Sequence, residues 1–107
     1  MRGKTYIVVL VTASSKEEAR KISRGLLEEK LAACVNILTG VESHFWWQGK
    51  IDTAGEFLLV IKTKKKLFNK LTEKVKASHS YSVPEIIGLP IISGSGDYLK
   101  WINDSTR

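Results

Sequence analysis

The chain has 107 residues, 43% of them hydrophobic and 26% charged, which suits one hydrophobic core and excludes both a two-domain protein and a disordered one. Its formal net charge is +6, and residues 62–76 alone hold seven lysines against the single acid Glu73. That segment accounts for the whole excess, so a uniformly basic protein is excluded. One local basic patch is expected instead. Such a run is ordinarily a solvated helix face, and the sharper reading is an anion or nucleic-acid surface.

Met1-Arg2-Gly3-Lys4 ahead of an apolar run resembles the start of a signal peptide. The run is short, a helix start follows at once, and cleavage would remove the first strand, so a cytoplasmic protein is expected. Thr5 to Thr12 is β-branched and apolar on both alternating sets of positions, which predicts a strand buried on two faces. Ser15 with Glu18, or Ser14 with Glu17, offers a capping box. Ala19, Ile22, Leu26 and Leu27 then recur at helical spacing, predicting an amphipathic helix to about Lys30.

Ala33 to Trp47 and Lys50 to Lys62 read as the arms of a long hairpin, with a bulge or bend at Gly40 and a turn at Gln48-Gly49. Leu67, Phe68, Leu71 and Val75 predict a second helix ending near Ser78, whose lysine-rich first turn opposes the helix dipole. Pro84 sets up an edge strand from Glu85 to Ile92. Asp97 is the candidate cap of a last short helix carrying Tyr98, Trp101 and Ile102 on one side. The order is that of an α+β protein: a ferredoxin-like split βαβ sandwich over residues 1–107, with a long hairpin and a C-terminal helix. No stretch approaches the length of a membrane span.

Two helices cover only one face of a four-stranded sheet, and a face meeting water should alternate apolar with polar residues. Ile7 to Val11 and Phe57 to Ile61 are apolar at every position. The second face therefore calls for a partner, and another copy of the chain is the simplest one. Trp46 and Trp47 point opposite ways along a strand, so one indole is expected to leave the core as an interface anchor. The alternative is that both pack under the terminal helix with Trp101.

Several segments in order resemble the CutA divalent-cation-tolerance family: Leu26 to Asn36, Trp46 to Ile51, Ile61 to Thr63, His79 to Ile86, and Asp97 to Ile102. The resemblance implies a ferredoxin-like fold assembled as a homotrimer whose neighbouring sheets continue one another. It also implies binding of copper or another divalent metal, none of it essential for folding, through Cys34 and His79. Trimers of this kind resemble the P-II signalling proteins, which bind small ligands between subunits. Trp46, Trp47, Lys62, Tyr81 and Glu85 are accordingly the candidates for a ligand cleft or trimer interface. Some bacterial relatives carry a second cysteine where this chain has Val11, and many have proline where it has Ser80.

Cys34 is the one cysteine, so no intrachain disulfide forms. Thiolate with imidazole favours copper or zinc, but two ligands fall short of the three or four a tight site takes. A buried cysteine and a surface histidine form the plain alternative. His44 on the hairpin is expected at the surface or an interface. No catalytic constellation stands out, and Ala13-Ser14-Ser15-Lys16 lacks the arginine of an acylphosphatase loop. Asp52 to Phe57 lacks the aromatics of an RNA-binding strand, so a nucleic-acid partner is not expected. A non-enzyme working in metal response is the expectation, with a small-ligand sensor and a scaffold trimer as the alternatives.

Overall fold

A computed structural model describes residues 5–107, and the basic lead-in Met1 to Lys4 lies outside them. Chain order gives β1 (Tyr6–Ala13), α1 (Lys16–Glu28), β2 (Cys34–Trp47), β3 (Lys50–Lys64), a 3-10 turn (Lys65–Leu67), α2 (Phe68–Ser78), β4 (Ile86–Pro90) and α3 (Gly96–Ser105). The strands form one antiparallel sheet in the order β2-β3-β1-β4. That is the expected split βαβ arrangement, with β4 at an edge.

Both ends of α1 are fixed locally. Ser15 accepts the Glu18 N–H at 3.0 Å, as a capping box requires. The Glu18 carboxylate does not return to Ser15. It takes the backbone N–H of Ser14 at 2.9 Å and that of Ser80 at 2.7 Å, tying the helix start to the connector after α2. At the other end Lys30 adopts φ 56°, its N–H reaches Leu27 O, and the Leu31 N–H reaches Leu26 O. This is a Schellman cap, with lysine where glycine is usual, and Leu26 and Leu31 are both buried beside it. Leu27 is exposed, contrary to expectation. Consecutive helical residues lie about 100° apart, and Leu26 takes the inward direction.

The hairpin follows its turn chemistry. Gln48 and Gly49 both have positive φ, 50° and 79°, as a two-residue turn between antiparallel strands requires. Gly40 has φ 75°, and the β2–β3 register shifts between Leu38 and Val41, so the expected bulge is there.

The core lies between the sheet and α1 with α2. Val9, Val11, Leu59 and Ile61 from the strands meet Ile22, Leu26, Leu71 and Val75 from the helices. Alternation places Val8, Leu10, Leu58 and Val60 on the opposite face. α3 lies against one end of that face, where Leu99 and Ile102 pack with Tyr6 and with Ala33 and Ile91. Its cap is Ser95, which accepts the Tyr98 N–H at 3.3 Å, and Asp97 sits in the first turn instead. Tyr98 and Trp101 do share a side, but it is an exposed one, whereas Ile102 points inward.

α3 leaves the rest of the second face open. Leu38, Ile87 and Leu89 are between 45% and 48% exposed there. The hairpin runs on past the sheet, so the molecule measures 44 × 26 × 23 Å.

Candidate functional site

The expected site residues fall into three separate places. Cys34 and Lys62 are register partners at the start of β2, on the side of the sheet away from α1 and α2. Lys62 Nζ donates to Asn36 Oδ1, and the Cys34 thiol lies 3.8 Å from the same oxygen. Asn36 thus anchors this corner, and its polarity within the apolar run Val35–Leu38 was the signal for it. Tyr98 of α3 stands nearby. Burial, with the charge of Cys34 adding to it, pushes the Tyr98 phenol pKa up.

His79, Tyr81 and Glu85 gather at the far end of β1. The His79 side chain is fully buried. Its Nδ1 accepts the Tyr81 N–H at 3.0 Å, so the proton sits on Nε2, which donates to the Thr12 carbonyl at 2.7 Å. The Tyr81 ring lies against the imidazole, with centroids 4.9 Å apart, and its hydroxyl donates to Glu56 Oε2 at 2.8 Å. Burial, this hydrogen bond and the neighbouring carboxylates raise the Tyr81 pKa to about 12.

Two acids, Glu56 and Glu18, flank that tyrosine, and a third, Glu85, lies beside Glu56. Glu56 is 8% exposed beside the bulge, where it pairs with Val41. Glu85 is exposed as a residue, yet burial of its carboxyl and then the charge of Glu56 push its pKa up. Burial also pushes Glu18 upward, but hydrogen bonds from Ser14 and Ser80 outweigh it and hold its pKa at about 2. Glu18 and Glu56 were not legible as members of this cluster, because both partners that define it are distant in sequence.

The structure does not bring Cys34 and His79 together within one chain. Cys34 faces Lys62, which pairs with Val8, whereas His79 bonds Thr12. Four residues of strand, roughly 13 Å, lie between those two positions. Both imidazole nitrogens are already engaged, and among the described residues no group of three or more histidine, cysteine, aspartate or glutamate side chains is placed to hold a metal. The pair does not fit a metal site inside a single copy. Val11 points into the helix-side core, opposite to Cys34, so a second sulfur there would not have joined the first.

Trp46 and Trp47 form the third place, at the hairpin tip, 72% and 48% exposed. Both indoles leave the core, not one. The alternative of packing beneath α3 fails, since Trp101 lies instead against Tyr98, with ring centroids 5.4 Å apart. His44 is an exposed neighbour on the same hairpin, 2.7 Å from Glu42. Lys62 lies far from Glu85, at opposite ends of the sheet.

The architecture is that of a small ferredoxin-like α+β protein with one finished sheet face, one open apolar face and a protruding aromatic hairpin. Comparison with known proteins narrows the class. The profile described as "CutA1 divalent ion tolerance protein" matches residues 7–105. Protein CutA 1, chloroplastic, of Oryza sativa subsp. japonica is 52% identical over 101 residues, covering 94% of this chain and 57% of the relative. The divalent-cation tolerance protein CutA of Thermus thermophilus is 50% identical over 99 residues, covering 92% and 96%. The solved structure of a divalent cation tolerance protein from Thermus thermophilus superposes with a TM-score of 0.94 at 49% identity, over 95% of this chain and 99% of that one. The chain belongs to the CutA1 divalent ion tolerance family. It spans a little over half the length of the plant relatives and nearly all of the Thermus one. Among the described residues no helix is long and apolar enough to cross a membrane.

Proposed function

We propose that the chain is a homotrimer serving divalent-cation tolerance in the cytoplasm without a catalytic step. The observation that carries this reading is the open sheet face. Leu38, Ile87 and Leu89 stand nearly half exposed beside Leu10, Leu58 and Val60, and the hairpin tip adds two exposed indoles, Trp46 and Trp47. A contiguous apolar patch of this kind is a hallmark of association, and identical copies pair such surfaces most simply. Three is the count implied by the family resemblance. The cytoplasmic assignment rests on the single cysteine, which leaves the fold independent of an oxidising compartment.

Copper or another divalent metal is the effector that the family's role suggests. A ligand set needs more than one copy, since Cys34 and His79 stay apart in a single chain. Cys34 lies on the open side of the sheet and is the group such a contact would use. His79 holds the connector between α2 and β4 instead.

Light scattering at micromolar concentration tests the assembly. A mass three times the 12.0 kDa of the chain is expected, and a mass of one chain overturns the proposal. Calorimetry with Cu(II) tests the metal contact: Cys34→Ser is expected to weaken binding at least tenfold, while His79→Gln lowers thermal stability more than copper affinity. Unchanged affinity in Cys34→Ser removes copper from that residue.

A further inference from the structure

α3 is fastened to the sheet apart from the main core. Its buried residues Leu99 and Ile102 form a separate cluster with Tyr6, flanked by Ala33 and Ile91. A helix of ten residues is marginal without such packing. The segment that leads into it from Pro90, the last residue of β4, ends in Ser93-Gly94-Ser95-Gly96. Closure needs a glycine there, because a Cβ at position 94 would meet Leu99 at 3.1 Å. Beyond the far end of α3 the chain is tied back to α1, where the Arg107 N–H donates to the Lys30 carbonyl at 3.1 Å.

Beneath α3 lies a charge. Lys64 is 6% exposed and pairs in register with Tyr6, and it has no acidic partner among the described residues. Its ammonium donates to the carbonyl and side-chain oxygens of Asn103, both at 3.4 Å, longer than an ordinary hydrogen bond. Burial pushes its pKa down, the charge of Lys66 adds to this, and Asp104 pulls the other way. An ammonium so placed is better solvated in water than under the helix. Docking of α3 is therefore favoured by its apolar side and opposed by the charge it covers.

We infer that α3 is a hinged strap, kept poised by the buried Lys64 ammonium, that opens over the Cys34 end of the sheet while the rest of the fold stays intact. Opening hydrates the ammonium and uncovers Tyr6, Ala33 and Ile91. It also lifts Tyr98, which stands beside the Cys34 thiol, away from that corner. Segments with few buried contacts of their own open in this way, as units less stable than the whole. The opening breaks contacts within one chain, so it needs no surface left uncovered by assembly. The strap stands on its own geometry, whereas its control over Cys34 rests on the role proposed for that thiol.

Hydrogen exchange followed by mass spectrometry tests the strap on the full chain. After correction for intrinsic rates, the amides of Leu99 to Asn103 should exchange about tenfold or more faster than those of Val9 to Val11. Lys64→Met removes the buried charge at similar volume and should slow α3 exchange about threefold or more. Ile102→Ala removes the buried anchor and should speed it about tenfold or more, with little change in β1. Exchange of α3 at the rate of β1 would mean that it opens only with the whole fold, and would overturn the inference. The wild-type chain alone decides this point should a variant fail to fold. Faster α3 exchange in Lys64→Met would make Lys64 a fastening of the helix, and would overturn the inference as well. None of these readouts involves a metal, so they stand or fall separately from the proposed function.

Discussion

The two faces of the sheet are built from the same strands and nearly the same residue types, yet they end in different states. On β1, Val9 and Val11 are fully buried beneath α1 and α2, while the alternating Val8 and Leu10 are only partly covered. On β3 the same contrast separates Leu59 and Ile61 from Leu58 and Val60. Burying a large aliphatic side chain contributes roughly 1.5–3 kcal/mol, so the open face holds back a comparable stabilisation until something covers it. A residue's environment is therefore set by parity along the strand, and apolarity alone does not reveal whether its partner lies in the same chain.

The sharpest way to break this comparison is to truncate one residue of each face. Ile61→Ala should cost about 2–5 kcal/mol in urea unfolding, through lost burial and the cavity left behind. That loss should not change with protein concentration. Val60→Ala, one residue earlier, should instead change how strongly the unfolding midpoint depends on concentration, because the proposed trimer would complete its burial. Equal, concentration-independent losses at both positions would remove the distinction between the faces.

At the far end of the sheet, hydrogen bonds replace apolar packing as the closing device. Glu18 there is held at about pKa 2 against an ordinary 4.5. Its lowered pKa means that the unfolded chain binds the proton more readily, so its contribution is present above pH 4.5 and is lost as pH falls towards 2. The shift corresponds to about 3 kcal/mol. Glu18→Gln should lose much of that at neutral pH and flatten the acid limb of a stability profile measured between those two values. An unchanged acid limb would count against the tie between α1 and Ser80.

Tyr81 sharpens the same point from the alkaline side, with a smaller effect. Tyr81→Phe leaves Glu56 without its donor and should cost about 1–2 kcal/mol. Because burial raises the phenol to about 12, its contribution is complete below its ordinary value of 10 and fades as pH rises through 12. Tyrosinate absorbance should show one of the three tyrosines titrating last.

The legible parts were those with a local cause. Unbroken runs of β-branched and apolar residues gave the strands, Gln48-Gly49 gave the hairpin turn, and Gly40 gave the bulge, because each depends on a few adjacent residues. The expectation of an unfinished second face also rested on local pattern, although α3 covers one end of it. What sequence could not show was convergence. Cys34 and His79 share a plausible chemistry but lie at opposite ends of the sheet, a fact fixed by register. Glu18, Ser80 and Tyr81 form one cluster because a helix start and a distant connector happen to meet there. Seven lysines close in sequence likewise diverge, since strand and helix periodicity send them in different directions.

The smallest effect within one chain is expected at the hairpin tip. Trp46 is 72% exposed and its cross-strand partner Ile51 is 67% exposed, so neither gains much from the fold of its own chain. Trp46→Ala should change the intrinsic stability by no more than about 0.5 kcal/mol, as surface substitutions generally do. Aromatic side chains at contacts between copies behave differently, since truncating a central one commonly costs about 2 kcal/mol or more of association. The two quantities separate in a denaturation series at several protein concentrations, where intrinsic stability sets the low-concentration limit and association sets the slope. A preserved limit with a reduced slope assigns the hairpin to assembly. A preserved slope would confine assembly to the sheet face around Leu10, Leu38 and Leu58, leaving the tip free for another partner.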